Sequence, residues 1–287
     1  AGAHRMKKLW KQRMEPFSIW GNLYFCGSVP SSCHIIDTGE GLILIDPGLP
    51  ETFYLVVQSL WELGFEPKQV RAILHTHGHY DHTGGLSTLL EQCDPPKEIY
   101  FGSCFFAPRY RRELGRMRGI SARVQEMDLM KRRLNYYMLD RSICYPLHEG
   151  IWLVTGFPST NRFEKPVKAM VRRIGEDFIV DDFCDEVAVV LEREDSLSVV
   201  SGCSHNGMIN ICQRVSSYFQ RPVDTFLGGT HLVAADSARL RSTIKALGFL
   251  RVRRVAACHC NGGEANELFA RELRGYLPVH SGSVIEL

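Results

Sequence analysis

The chain has 287 residues, of which 45% are hydrophobic and 23% charged, with a formal net charge of +2 and 10 cysteines. That length can bury one substantial core or two fused halves, and the balance is that of an ordinary globular protein, not of a disordered or strongly basic nucleic-acid-binding chain. No apolar run reaches membrane-spanning length, and no Cys-x-x-Cys pair occurs. The cysteines therefore read as buried thiols in a reducing cytoplasm.

Residues 22–26 and 33–37 read as the first strands, and the apolar run at 41–45 as a strand covered on both faces. Asp46 ends that strand, and Pro47-Gly48 makes the turn; Asp46 either supports a metal ligand or shapes the turn. Phe53, Val56, Val57, Leu60 and Leu63 recur at helical spacing over residues 51–63, with Gly64 as the stop. A short buried strand, Val70–Leu74, then delivers His75-Thr76-His77-Gly78-His79-Tyr80-Asp81-His82, followed by a helix start at Leu86. Imidazole and carboxylate are good donors for a borderline divalent ion such as zinc. His77 and His79 reach one ion, Asp81 and His82 begin a second site, and Gly78 leaves room for the close turn. His75 stands outside that spacing, as a supporting or structural group. Thr76 and Thr83 carry hydroxyls able to orient ligands. His34 either approaches the site or simply packs, and packing is the commoner role.

Residues 98–102 form a further strand. The stretch 105–148 then breaks the rhythm, with Arg109, Arg111, Arg112, Arg116, Arg118, Arg123, Lys131, Arg132 and Arg133 crowded among aromatics. It reads as a basic insertion in a single domain, helical over 129–139. Its arginines form a lid for an anionic substrate, a subunit or nucleic-acid surface, or a solvated face. Residues 151–156 are a strand, and 157–181 a long connection. The acidic run 181–186 is either a polar cluster at the periphery of the site or, more commonly for such runs, a solvated loop.

The later half repeats one device: an apolar strand, a metal-capable loop with glycine, then a helix. Strands at 187–191 and 197–200 lead to Gly202-Cys203-Ser204-His205 and a helix over 208–219. The strand from 223 leads to Gly228-Gly229-Thr230-His231 and a helix over 236–247. The strand at 255–257 leads to Cys258-His259-Cys260 and a helix over 264–273, with an edge strand at 284–287. Cys203 and His205 suit zinc or iron.

His77-x-His79-x-Asp81-His82 followed by Gly84-Gly85 resembles the signature of the metallo-beta-lactamase fold superfamily. The resemblance implies an αββα sandwich, two mixed sheets packed together with helices outside, and a two-metal site at one edge of the sheets. Asp46 matches the structural aspartate of that fold, His259 the last metal histidine, and Cys203 the place of a bridging aspartate or cysteine. Gly202-Cys203-Ser204-His205, Gly228-Gly229-x-His231-Leu232 and His259-Cys260-x-Gly262 are similar to a subgroup represented by dihydropterin ribofuranosylaminobenzene phosphate synthases. The histidine expected between the first motif and Cys203 is missing, since His148 sits in poor context. On that basis His77, His79 and His205 would form one site and Asp81, His82 and His259 the other, with Cys203 bridging or beside them.

Paired ions hold a hydroxide nucleophile between them and polarise the bond under attack. Asp81 would orient that nucleophile, and His231 would act as general acid or touch substrate. Tyr80 either donates to an oxyanion or packs beside the loop. The expected activity is a metal-dependent hydrolase, with two divalent ions, zinc first and iron or manganese next. Its substrate would be a small anionic phosphate ester, phosphodiester or cyclic ester. An iron-dependent redox enzyme and a nucleic-acid-processing hydrolase are the alternatives, and a homo-oligomer stays open.

Overall fold

The computed structural model describes residues 13–92 and 96–278. Two seven-stranded mixed sheets pack face to face, each with helices on its outer side. The first sheet joins β1 (Phe17–Trp20), β2 (Leu23–Phe25), β3 (His34–Asp37), β4 (Leu42–Ile45), β5 (Val70–Leu74), β6 (Glu98–Gly102) and β9 (Tyr136–Leu139) in that spatial order. The second runs β10 (Cys144–His148), β11 (Ile151–Thr155), β14 (Val187–Glu192), β15 (Leu197–Ser201), β16 (Val223–Gly228), β17 (Arg254–Ala257) and β18 (Tyr276–Pro278).

Side-chain alternation sorts each strand between two cores. On β4, Leu42 and Leu44 face α1 (Phe53–Glu62) and α3 (Gly85–Gln92), while Ile43 and Ile45 face the opposite sheet. On β14, Ala188 and Val190 face α5 (Met208–Phe219), α6 (Ser237–Leu250) and α7 (Gly263–Glu272), while Val187, Val189 and Leu191 point between the sheets. Continuous apolar runs are thus required, because both faces of these strands are dry. Pairs β4–β5, β5–β6, β15–β16 and β16–β17 are parallel, so their loops collect at the same strand ends.

The helix expected over 129–139 is shorter and earlier. Only α4 (Glu126–Lys131) is helical, and Tyr136–Leu139 adds to β6 as an edge strand with Tyr137 stacked on Tyr100 at 5.0 Å. The connection at 157–181 contains a hairpin, β12 (Met170–Ile174) and β13 (Asp177–Val180), turned at Gly175 with φ 59°. Its outer strand is exposed along its length, so no hydrophobic alternation announced it. This hairpin joins β7 (Arg109–Glu113) and β8 (Arg116–Gly119) in a four-stranded accessory sheet, order β13-β12-β7-β8. The basic stretch 105–148 therefore divides: its first strands lie in the accessory sheet, and its last two edge the main sheets. The strand expected at 284–287 lies outside the described residues. Among the described residues no helix is long and apolar enough to cross a membrane.

Candidate metal centre

The histidine loop starts at the end of β5 and is anchored to its parallel neighbour. Asp46, at the end of β4 in the left-handed region (φ 55°), accepts the Thr76 backbone N–H at 2.8 Å and the Thr76 hydroxyl at 2.6 Å. With that hydroxyl donating to Asp46, the His77 Nδ1–H donates to Thr76 Oγ1 at 3.0 Å, which leaves the Nε2 lone pair of His77 free. His82 Nδ1 donates to the same aspartate at 2.8 Å, turning Nε2 towards Cys203 Sγ, 3.1 Å away. One buried carboxylate thus sets the tautomer of two imidazoles, as carboxylates behind metal-binding histidines commonly do. Thr83 Oγ1 ties the turn by donating to the His79 carbonyl at 2.9 Å. Gly78 is required, because a Cβ there would lie 2.4 Å from the Phe105 carbonyl oxygen.

The second group of donors comes from three separate strand ends. Cys203 and His205 follow β15, His231 follows β16, and His259 and Cys260 follow β17. Buried carboxylates hold the first of these loops. Glu186 accepts the His205 N–H at 2.7 Å and the Asn206 N–H at 2.8 Å. Glu164 accepts the N–H groups of Ile209 and Asn210 at 2.9 Å each, satisfying the open N-terminus of α5. Next to Glu186, Asp185 crosses to the other half and accepts the Gly78 N–H at 2.6 Å, between His77 and His79. Burial raises Asp185 to about 6 and Glu186 to about 7, against the pull of their partners.

These arms converge on Cys203. One ligand atom each of His77, Cys203 and His205 lie within 4.8 Å of one another, and the same holds for His82, Cys203 and His259. The His79 ring is 4.6 Å from that of His77 and 4.8 Å from that of His205. Asp81 Oδ2 lies 3.1 Å from His259 Nε2 and 3.7 Å from His82 Nε2. His77 Nε2, His79 Nε2 and both ring nitrogens of His205 are buried without a hydrogen-bond partner. Buried polar atoms are almost always satisfied, so converging lone pairs of this kind fit divalent cations. Burial, reinforced by the neighbouring imidazoles, drives His77 and His205 well below the ordinary histidine range and His79 to about 3. They are neutral, the form that coordinates. Burial also disfavours charge on His82, yet Asp81 and Asp46 outweigh it and raise His82 to about 9. Burial likewise opposes ionisation of Asp81, but His82 and His259 hold it below the usual carboxylate range. The carboxylate side of the centre therefore favours positive charge.

The centre opens into a cavity of about 290 Å³ whose lining includes Tyr80, Arg111, Arg118, Met170 and His231. The accessory sheet forms one wall: Tyr80 N–H donates to the Ile120 carbonyl at 3.1 Å. Arg111 on β7 and Arg118 on β8 are direct cross-strand partners, and Arg118 Nη2 donates to the Tyr80 hydroxyl at 3.2 Å. His231 has φ 49°, stands 4.4 Å from the His205 ring, and keeps Nδ1 unpartnered.

Other residues singled out in the sequence lie apart. His75 is buried and stacked on Phe101 at 5.1 Å, and His34 packs against Phe25. His148 is 3.9 Å from Glu40 on a different surface. Arg109 is no lid residue: it is fully buried, 2.9 Å from Asp181 and 2.7 Å from Asp185, and it donates to the Phe105 carbonyl. The acidic run is likewise mostly interior, with Asp181, Asp185 and Glu186 buried. Sequence reasoning missed Cys260, whose Sγ lies within 4.8 Å of Cys203 and His231 ligand atoms. The available signal was its place beside His259 in the fourth copy of the strand-end device.

A model of the metallo-beta-lactamase superfamily matches residues 26–164. The chain is 26% identical over 229 residues to 7,8-dihydropterin-6-methyl-4-(beta-D-ribofuranosyl)-aminobenzene-5'-phosphate synthase of Methanocaldococcus jannaschii, covering 78% of each chain. A shorter likeness, 31% over 81 residues, links it to an N-acyl homoserine lactonase of Bacillus thuringiensis, over 20% of this chain and 32% of that one. Among solved structures it is similar to Tm1679, a metal-dependent hydrolase of the beta-lactamase superfamily, with a TM-score of 0.74 and 23% identity over 90% of this chain and 92% of that one. The sandwich observed at the level of its cores and the likeness to Tm1679 agree, and the chain has the metallo-beta-lactamase fold.

Proposed function

We propose that this protein is a hydrolase that works with two divalent cations, zinc before iron or manganese, on a small anionic ester. The observation that carries the reading is the convergence of unpartnered, buried imidazole nitrogens of His77 and His205 on the Cys203 thiol, with His82 and His259 on its other side. His77, His79 and His205 would hold one cation, and Asp81, His82 and His259 the other, with Cys203 within reach of both. Bound cations of this kind supply Lewis-acid polarisation and bring water to a reactive pKa.

The chain's own residues supply the rest. Asp81, held ionised and only partly covered, accepts a hydrogen bond from the attacking water and orients it. His231, on the cavity wall, donates a proton to the leaving oxygen or contacts the substrate. Arg111 and Arg118 put two guanidinium groups opposite one another on one sheet face, where like charges repel unless an anion lies between them. Glu113 offsets Arg111 in part, at 3.1 Å. Guanidinium forks suit phosphate or carboxylate, and the archaeal relative is named for a phosphate ester. A cyclic ester needs only the cations, and the local likeness to a lactonase keeps that class in the test panel. Free thiols at every described cysteine suit a reducing cytoplasm.

Elemental analysis of the purified protein should give about two equivalents of zinc, iron or manganese. Chelation should lower the melting temperature, since cations bind only the folded chain, and should abolish hydrolysis of a chromogenic phosphodiester, phosphomonoester or lactone until metal is restored. Asp81→Ala with His82→Ala should lower occupancy towards one equivalent. Hydrolysis that survives complete metal removal would sink the reading.

A further inference from the structure

We propose that Cys260 supplies a second thiolate to the metal centre beside Cys203, so that the centre selects thiophilic divalent cations such as zinc or cobalt over manganese or magnesium. This rests on the two-cation reading above and adds a donor and a cation class to it.

The geometry comes from backbone placement first. Consecutive residues of an extended chain point to opposite sides, so His259 and Cys260 could not both face one cavity from a regular strand. His259 instead takes φ 58°, a conformation that non-glycine residues rarely adopt and that clusters at functional sites. That reversal brings both side chains to the lining of the same cavity. Opposite them, Gly229 leaves the space the sulfur occupies: a Cβ there would lie 2.7 Å from Cys260 Sγ and 3.0 Å from Cys203 Cα. The Gly202 carbonyl oxygen, 2.3 Å from the same Cβ position, requires glycine there as well, and Gly228 is required separately by its φ of 120° and the Ser201 carbonyl.

The surroundings are those of a donor, not of a core thiol. Cys26, Cys33 and Cys212 lie in the hydrophobic cores, where a free cysteine behaves as a small apolar residue. Cys260 is in none of them. Its Sγ accepts the His231 backbone N–H at 3.2 Å, which ties it to the strand-end loop that carries His231. It also lies within 4.8 Å of the Cys203 sulfur and a His231 ring nitrogen, and shares its cavity lining with the unpartnered, nine-tenths buried imidazole of His205. Two soft sulfurs among imidazoles suit zinc and cobalt, whereas manganese and magnesium prefer oxygen-rich sets.

The test is optical and needs no substrate. Metal-free full-length protein, kept reduced and anaerobic, is titrated with cobalt(II), and the near-ultraviolet sulfur-to-cobalt charge-transfer band is read alongside bound cobalt. Cys260→Ser and Cys203→Ser should each lose about half of that band, the double variant all of it. Cys260→Ser should still bind about two equivalents and should shift zinc-over-manganese preference roughly tenfold or more towards manganese. Cys260→Ala, checked for folding by its melting curve, repeats the measurement without a hydroxyl that could substitute as a ligand. A full-strength band in folded Cys260→Ser or Cys260→Ala with two cobalt bound would overturn the role of Cys260 alone. A wild-type protein that binds no cobalt would overturn the two-cation reading itself.

Discussion

The two halves of the centre are built by different means. The first half is local: His77, His79, Asp81 and His82 lie within six consecutive positions, and a single aspartate at the end of the adjacent strand orients His77, through Thr76, and His82. The second is assembled from the ends of β15, β16 and β17, and the loop after β15 is held by the carboxylates of Glu186 and Glu164. The contrast teaches where failure should be local and where it should spread. Removing the support of a contiguous loop collapses every ligand on it, while removing one clamp of the dispersed half should release one arm.

The largest effect is expected from Asp46→Ala. It leaves the His82 and Thr76 donors without their acceptor and breaks a fully buried pair, at a cost of about 3–5 kcal/mol. Both cations should be lost, because in the proposed arrangement His77 and His82 would serve different ones and both depend on the same carboxylate. Metal analysis and chemical denaturation check this. Retention of one full equivalent would contradict the shared role.

Glu186→Gln should be milder and one-sided. The amide offers one acceptor where the carboxylate offers two, so one of the His205 and Asn206 N–H groups loses its partner, at about 1–3 kcal/mol. Bound metal should fall towards one equivalent, the remaining ion being the one that Asp81, His82 and His259 would hold. Loss of both ions on a stable fold would show that the halves are not independent.

The legibility of the chain follows the same division. The gathering of the histidine loop was readable because its imidazoles and carboxylate are adjacent and its strand–loop–helix setting is local. The sandwich was readable because both-face burial forces continuous apolar runs such as Leu42–Ile45 and Val187–Glu192. What was hidden depends on partners far along the chain. Asp185 and Glu186 look like part of a solvated acidic run, and only the packing shows one meeting Gly78 and the other His205. Arg109 looks like Arg111 and Arg112, yet it enters the interior because two aspartates and three backbone carbonyls wait there. The hairpin β12–β13 was hidden for another reason: with one strand wholly exposed, no burial pattern was imposed on its sequence.

The smallest effect, and the one that bears on substrate, concerns the wall that closes the cavity. Arg109 and Arg111 are two apart on β7 and so share a face, but Arg109 lies deeper, beneath Gly78, while Arg111 reaches the cavity opposite Arg118. Arg112 projects from the other face and is exposed. If Arg111 and Arg118 grip an anion, each replacement by alanine should remove a charge-assisted contact of roughly 1.5–3 kcal/mol, a KM increase of about tenfold or more for a phosphodiester. A neutral lactone treated by the same metals should change little, as should metal content and melting temperature. Arg112→Ala is the matched surface control and should leave both substrates unchanged. Equal losses on anionic and neutral substrates would mean that the wall shapes the cavity without recognising charge. The phosphate preference would then fall while the metal centre stood, since neither arginine is among its donors.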